Sequence, residues 1–429
     1  MNVVTDIRQQ RHGNVWLLAI ALAACLPYLR GLSLPPLEDD YIQIALGRMY
    51  GAPSQWADLL ADPLYRCRAT SILLTRATEQ IFGNSQFVFN LQSLLLHLAN
   101  ALLVAALGSW PRLGYGLSLP AAFVWALSER HHEAVLWYAA LPEQLVFSFV
   151  LLALLAWLHW WENGGARALG ACAIFFALAL LSKESGVVFC GLALAPLLFD
   201  RTRSARLVAH LAPFCLAAGI YFLANYAAKT DHLHWNDGTF RLGWHFVPVV
   251  LNSLGRVIYL WGGLALLLLL VFRKNVHWPL VVFCFAWMLV ALAPYSFVAY
   301  QPRVPSRHVY LAMVGQAFLV ALALPFLRRV LVPVAVAFAV ANIYYVSVTK
   351  HQQFLARTVV TEELIRKATG LNYPAYAVEC FAHSPSLVPP ALEQRLGIPA
   401  DKVSARRDGD CKSLTIKPAD PSAPALVMP

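Results

Sequence analysis

About eleven stretches of this sequence are apolar over close to the length that crosses a bilayer, and no other feature constrains its fold as much. In hydrocarbon every backbone amide needs a partner within its own segment, so such runs fold as helices. Spans are expected at 15–30, 86–108, 113–128, 134–160, 167–182, 185–200, 207–228, 246–271, 277–294, 309–326 and 330–348. The resulting fold class is all-α: a polytopic membrane helical bundle over 1–348, with a first outer loop at 31–85 and a small exported C-terminal segment at 349–429. That tail is polar. It opens on "HQQFLARTVVTEELIRKATG", which is helical in pattern, and ends Pro-rich, with roughly the last dozen residues expected to be disordered.

A formal net charge of +10 would suggest a nucleic-acid partner in a soluble chain. Here the cations punctuate spans, and no nucleic acid is expected. Arg8 and Arg11, Arg112, Arg167, then Arg201, Arg203 and Arg206, then Arg273 and Lys274, then Arg328 and Arg329 fall on every second connection, which makes those connections cytoplasmic. The expected setting is a bacterial inner membrane, with a cytoplasmic N-terminus and a periplasmic C-terminus. The outer segment 31–85 nevertheless carries Arg48, Arg66, Arg68 and Arg76, against the orientation rule. Five of the 8 cysteines (Cys25, Cys172, Cys190, Cys215 and Cys284) read as small packing residues, while Cys380 and Cys411 are candidates for one disulfide on an oxidising face.

Charges kept beside spans are functional candidates, because each costs about 2.5–3.5 kcal/mol at a span centre. "LEDDY" (37–41), "DPLYRCR" (62–68), "LSKESG" (181–186) and "PRVPSRHVY" (302–310) all fall on the outer side, with "RHHEAV" (130–135) close behind. Singly, each has a structural explanation: acids favour a helix start, and Lys183 beside Glu184 can pair across a turn. Together, carboxylates from one loop and cations from three suit a phosphate leaving group, with arginine forks on phosphate oxygens and a carboxylate taking a hydroxyl proton. Asn90, His97 and Asn100 share a helix face, where they either line a cavity or bond neighbouring helices.

The runs "EDDYIQIA", "YRCRATSILLTRATEQIFGNSQFVFNLQSLLLHLANALL", "HHEAVLWYAALPEQLVF", "LSKESGVVF" and "PSRHVYLAMVG" resemble, in order, successive motifs of the GT-C superfamily of membrane glycosyltransferases. The likeness is to its protein O-mannosyltransferases and the animal transmembrane O-mannosyltransferases with tetratricopeptide repeats. It implies a polyprenyl-phosphate sugar donor, a lipid, glycan or protein acceptor hydroxyl, and an external active site in the first outer loop. Carried over, Asp39 is the base and Asp40 its partner. Arg66, Lys183, Arg307 and Tyr310 would hold the donor phosphate, supported by Glu184, His132, Glu133 and Tyr65. Cys67 departs from the family's Pro, Ser306 from its acid, and the tail lacks the repeats. Inversion is the expected stereochemistry, since it needs one base and a good leaving group. No cofactor is required; a divalent metal on Asp39 and Asp40 is the alternative, though two acids alone make a thin cage. The rival functions are a lipid or solute transporter and an O-antigen polymerase or ligase-like enzyme.

Overall fold

The structure, a computed structural model, describes residues 3–228, 240–298, 302–406 and 413–419. Among these, seven helices are long and apolar enough to cross a membrane: Gly13–Ser33, Gln86–Ser109, Tyr138–Asn163, Ser204–Ala227, Phe246–Val271, Trp278–Ser296 and Leu331–Ala368. Four more expected spans form shorter apolar helices at Tyr115–Leu127, Ala166–Leu180, Glu184–Leu198 and Met313–Leu327. Pro120 sits inside the first of these. The third is broken into short pieces with Pro196 opening the last, and the fourth tightens into a 3₁₀ turn near Pro325, as expected where a ring removes a backbone donor.

The bundle core is one apolar cluster in which Trp125, Trp157 and Trp287 are all buried. Several helices instead turn bulky apolar side chains outward: Leu216 is 66% exposed and Val332 72%. An aqueous surface would not favour that, whereas acyl chains would.

Connections segregate to two ends. At one, Trp110 packs on Phe199 with ring centroids 5.3 Å apart and donates to Glu162 (2.8 Å), Phe199 stacks on His277, Arg203 reaches the Trp161 carbonyl, and Phe272 stacks on Phe326. The basic connections therefore share an end. At the other end, segment 31–85 meets the 138–140 turn, the 181–186 connection and the tail, and the 306–309 turn packs on the 129–136 stretch.

Within 31–85, helices Asp40–Tyr50 and Ala69–Phe82 pack against each other through Gln43–Thr75 (3.1 Å) and the Arg48–Glu79–Arg76 bridges. The second helix buries Ser71, Ile72, Thr75 and Thr78, while the apolar stripe of Leu73, Ala77 and Ile81 is less covered, Ile81 being 70% exposed. Small hydroxyl residues let the two backbones approach closely, which leaves the apolar stripe facing out. Arg48 and Arg76 are thus held by Glu79, away from the acids.

The last long helix runs through a π turn at Tyr345–Lys350 into His351–Ala368. The tail then departs from the all-α expectation. Strands β1 (Tyr376–Glu379), β2 (Val403–Arg406) and β3 (Thr415–Pro418) form a sheet ordered β2-β1-β3, with β1 parallel to β2 and antiparallel to β3. The sheet encloses its own core with Leu364, Phe381, Val388 and Leu392, and Tyr41 of the first outer segment is buried in that same core. Cys380 is disulfide-bonded. Its expected partner Cys411 lies outside the described residues, as does most of the stretch expected to be disordered.

Candidate functional site

Asp39 and Asp40 are adjacent in sequence and opposite in environment. Asp40 is fully buried, its carboxylate accepting the Leu37 amide (2.8 Å) and the Ala139 amide (2.7 Å). It staples the first outer segment to the 137–140 turn. Burial pushes its carboxyl up to about 7, against the lowering effect of those two amides. Asp39 is exposed and stands at the N-cap of Asp40–Tyr50, yet makes no capping bond. Desolvation by the surrounding protein and the negative Glu38 raise its carboxyl above the usual range, while Arg68, Arg307 and Arg357 oppose that rise. It is an uncommitted carboxylate amid three arginines drawn from three separate parts of the chain.

These arginines differ in how fully they are used. Arg357, on His351–Ala368, grips Glu38 with two bonds of 3.0 and 2.8 Å. Arg307 sits in a 3₁₀ turn at Ser306–Val309, where its amide donates to Glu133 (2.9 Å). Both guanidinium groups lie on the Trp137 ring, at 4.9 Å for Arg307 and 4.7 Å for Arg357. The Arg68 guanidinium donates no hydrogen bond among the described residues, so its five N–H donors remain open to an anion; only electrostatic reach links it to Asp39 and Glu184.

Arg66, the expected phosphate ligand, points elsewhere. The 3₁₀ turn Arg66–Arg68 sends Arg66 to Asn225 Oδ1 (2.9 and 2.7 Å) on Ser204–Ala227 and leaves Arg68 facing the acids. Lys183 is bonded to Glu143, a buried carboxylate that also accepts from Tyr295 (2.6 Å) and His308 (2.5 Å). Glu184 accepts from the Cys67 thiol at 3.0 Å, so this cysteine ties two segments together. Lys183 and Glu184, partly buried, and the buried Glu143 thus form a polar cluster near Arg68.

Tyr310 is not at this surface. It is fully buried, its hydroxyl 2.8 Å from His97 Nδ1, its ring edge-on to Trp125 and Phe147. Asn90 bonds the Gly31 and Leu34 carbonyls and Asn100 the Gln144 carbonyl, so these polar groups join neighbouring elements rather than line a cavity. His132 bonds the Glu129 carbonyl at 2.7 Å, and burial pushes it down to about 4, a neutral imidazole edge-on to Phe354. Glu133 serves Arg307, and Tyr65 packs beside Tyr50.

Among the described residues, no group of three or more His, Cys, Asp and Glu side chains gathers as a metal ligand set. With Asp40 committed to backbone amides, Asp39 alone of the acid pair keeps a free carboxylate. Sequence reasoning gave no site role to Arg357, Trp137 or Glu143, and none individually to Glu38, Arg68 or His308, which lie within its charged clusters. Glu143 carried a signal, an acid opening the apolar run "LPEQLVF". Arg357 carried none, being one charge among many in a polar tail. No protein-family model matches the chain, and no curated protein matches it.

Proposed function

We propose that this is a GT-C-like membrane glycosyltransferase, moving a sugar from a polyprenyl-phosphate donor to an acceptor hydroxyl on the outer face, with inversion. In this reading the seven long and four shorter helices together make eleven spans, the shorter ones locally thinning or tilting. One observation carries the proposal: the exposed, unpaired Asp39 carboxylate lies within electrostatic reach of Arg68, Arg307 and Arg357 at one end of the bundle.

In the reaction, Asp39 takes the proton from the acceptor hydroxyl as its oxygen forms the new bond to the anomeric carbon. The bond from that carbon to the phosphate oxygen breaks, and the polyprenyl phosphate leaves with the electron pair. Arg68, with all its donors open, and Arg307, held flat on Trp137, stabilise the departing charge. One carboxylate acts, as a single displacement requires. A carrier would place such charges mid-span, whereas here they gather at one end, so the transporter reading is not favoured.

The test is to incubate purified protein with a panel of radiolabelled polyprenyl-phosphate sugars and follow lipid-dependent loss of label. Wild type should consume one donor, and Asp39→Asn should not, with membrane insertion unchanged. Full transfer by Asp39→Asn would refute the assignment.

A further inference from the structure

The tail was expected to be an appendage, yet it reaches into the site. Glu38, immediately before Asp39, has φ +39°, a left-handed conformation that a side chain with a Cβ rarely adopts. Among the described residues only Tyr259 and Cys380 share positive φ without being glycine. Such a turn persists only where its surroundings over-determine it. Here they do. Arg357 binds both Glu38 carboxylate oxygens, and its guanidinium is clamped on the Trp137 and Phe354 rings at 4.7 and 5.0 Å. Two residues further on, Tyr41 is buried in the tail's core, its carbonyl accepting from Gln394 (2.7 Å) and its hydroxyl from Arg395 (3.3 Å). Arg395 is itself held by Glu362 (2.7 Å). Asp39 is therefore bracketed on both sides by bonds from the tail.

We propose that Arg357 is a positioning residue of the site: its two-pronged hold on Glu38 fixes the left-handed turn that presents Asp39 to the acceptor. The proposal rests on the sugar-transfer reading for the role of Asp39, and its geometry can be tested without that reading. The charges facing Asp39 are Glu38 and Asp40 on its own stretch, Arg68 and Arg307 from the bundle, and Arg357 from the tail. Glu38 raises the carboxyl and Arg357 lowers it. Removing either breaks the same pair with opposite electrostatic effect.

The experiment compares Arg357→Ala, Arg357→Lys and Glu38→Gln as full-length chains in detergent, by amide hydrogen exchange and by transfer rate against pH. Exchange over 37–43 should speed up about tenfold in Arg357→Ala and Glu38→Gln, less in Arg357→Lys, with the 181–186 turn unchanged. Transfer should lose about a hundredfold in kcat at nearly constant KM, as misplacement by an ångström does. The acid limb of the pH profile should move up in Arg357→Ala and down in Glu38→Gln. Unchanged exchange in Glu38→Gln overturns the proposal even if Arg357→Ala fails to fold, and so do limbs that move together. If wild type consumes no donor, the sugar-transfer reading falls, and the exchange result alone decides whether Arg357 holds the turn.

Discussion

Two neighbouring aspartates carry different burdens, and stability separates them. Asp40 has a folded pKa of about 7, above roughly 3.9 for an unfolded chain. Its protonated form is favoured in the fold, so that stabilisation is complete below about pH 4 and is lost as pH rises through about 7. Wild type should melt at progressively lower temperature across that window. In Asp40→Asn the amide nitrogen must face one of the two backbone donors, leaving a buried N–H unpaired at about 1–3 kcal/mol, and the pH slope should flatten. Asp39→Asn should melt like wild type, because its side chain makes no bond to lose. Thermal denaturation of both variants between pH 4 and 8 checks this; equal losses in the two would contradict the division of labour.

At the scale of elements, what was legible followed length and period. Apolar runs declare helices because hydrocarbon leaves no alternative, and all eleven runs fold as helices; four are shorter, two of them passing into 3₁₀ turns at Pro196 and Pro325. The tail sheet was illegible, since strands of four residues carry too little alternation to be distinguished from coil. Arg66 and Arg68 part company for a related reason: a single 3₁₀ turn sends one to Asn225 and leaves the other within electrostatic reach of Asp39, and periodicity does not encode it. The turn at 181–186 is better determined. A Cβ at Gly186 would sit 2.8 Å from the Ala179 carbonyl, so Gly186→Ala must push the turn off the preceding helix. Lys183 would then separate from Glu143, leaving a buried charge short of its partner. The variant should lose about 1–3 kcal/mol of stability, read by denaturation. Replacing Gly219, which has open space around it, should cost less, about 0.5 kcal/mol or under; the reverse ranking would count against this packing.

At the scale of the whole molecule, every cation and acid of the proposed site stands at one end, while the alternate basic connections stand at the other. Contacts between distant segments produce this sorting, and it matches what the distribution of Arg and Lys demands of a membrane chain. In the sugar-transfer proposal the acid end faces outward, where an acceptor outside the cell can reach Asp39, and labelling tests that orientation. Ser54 is exposed at the acid end, and Ser204 is exposed beside Arg203 at the other. With an impermeant maleimide on intact cells, Ser54→Cys should label above the unsubstituted chain, and Ser204→Cys should label only after permeabilisation. The reverse pattern would put the arginine-ringed carboxylate in the cytoplasm, where the tail's disulfide at Cys380 would face a reducing compartment and transfer to exported acceptors would have no route. The orientation and the redox state of the tail therefore stand or fall together.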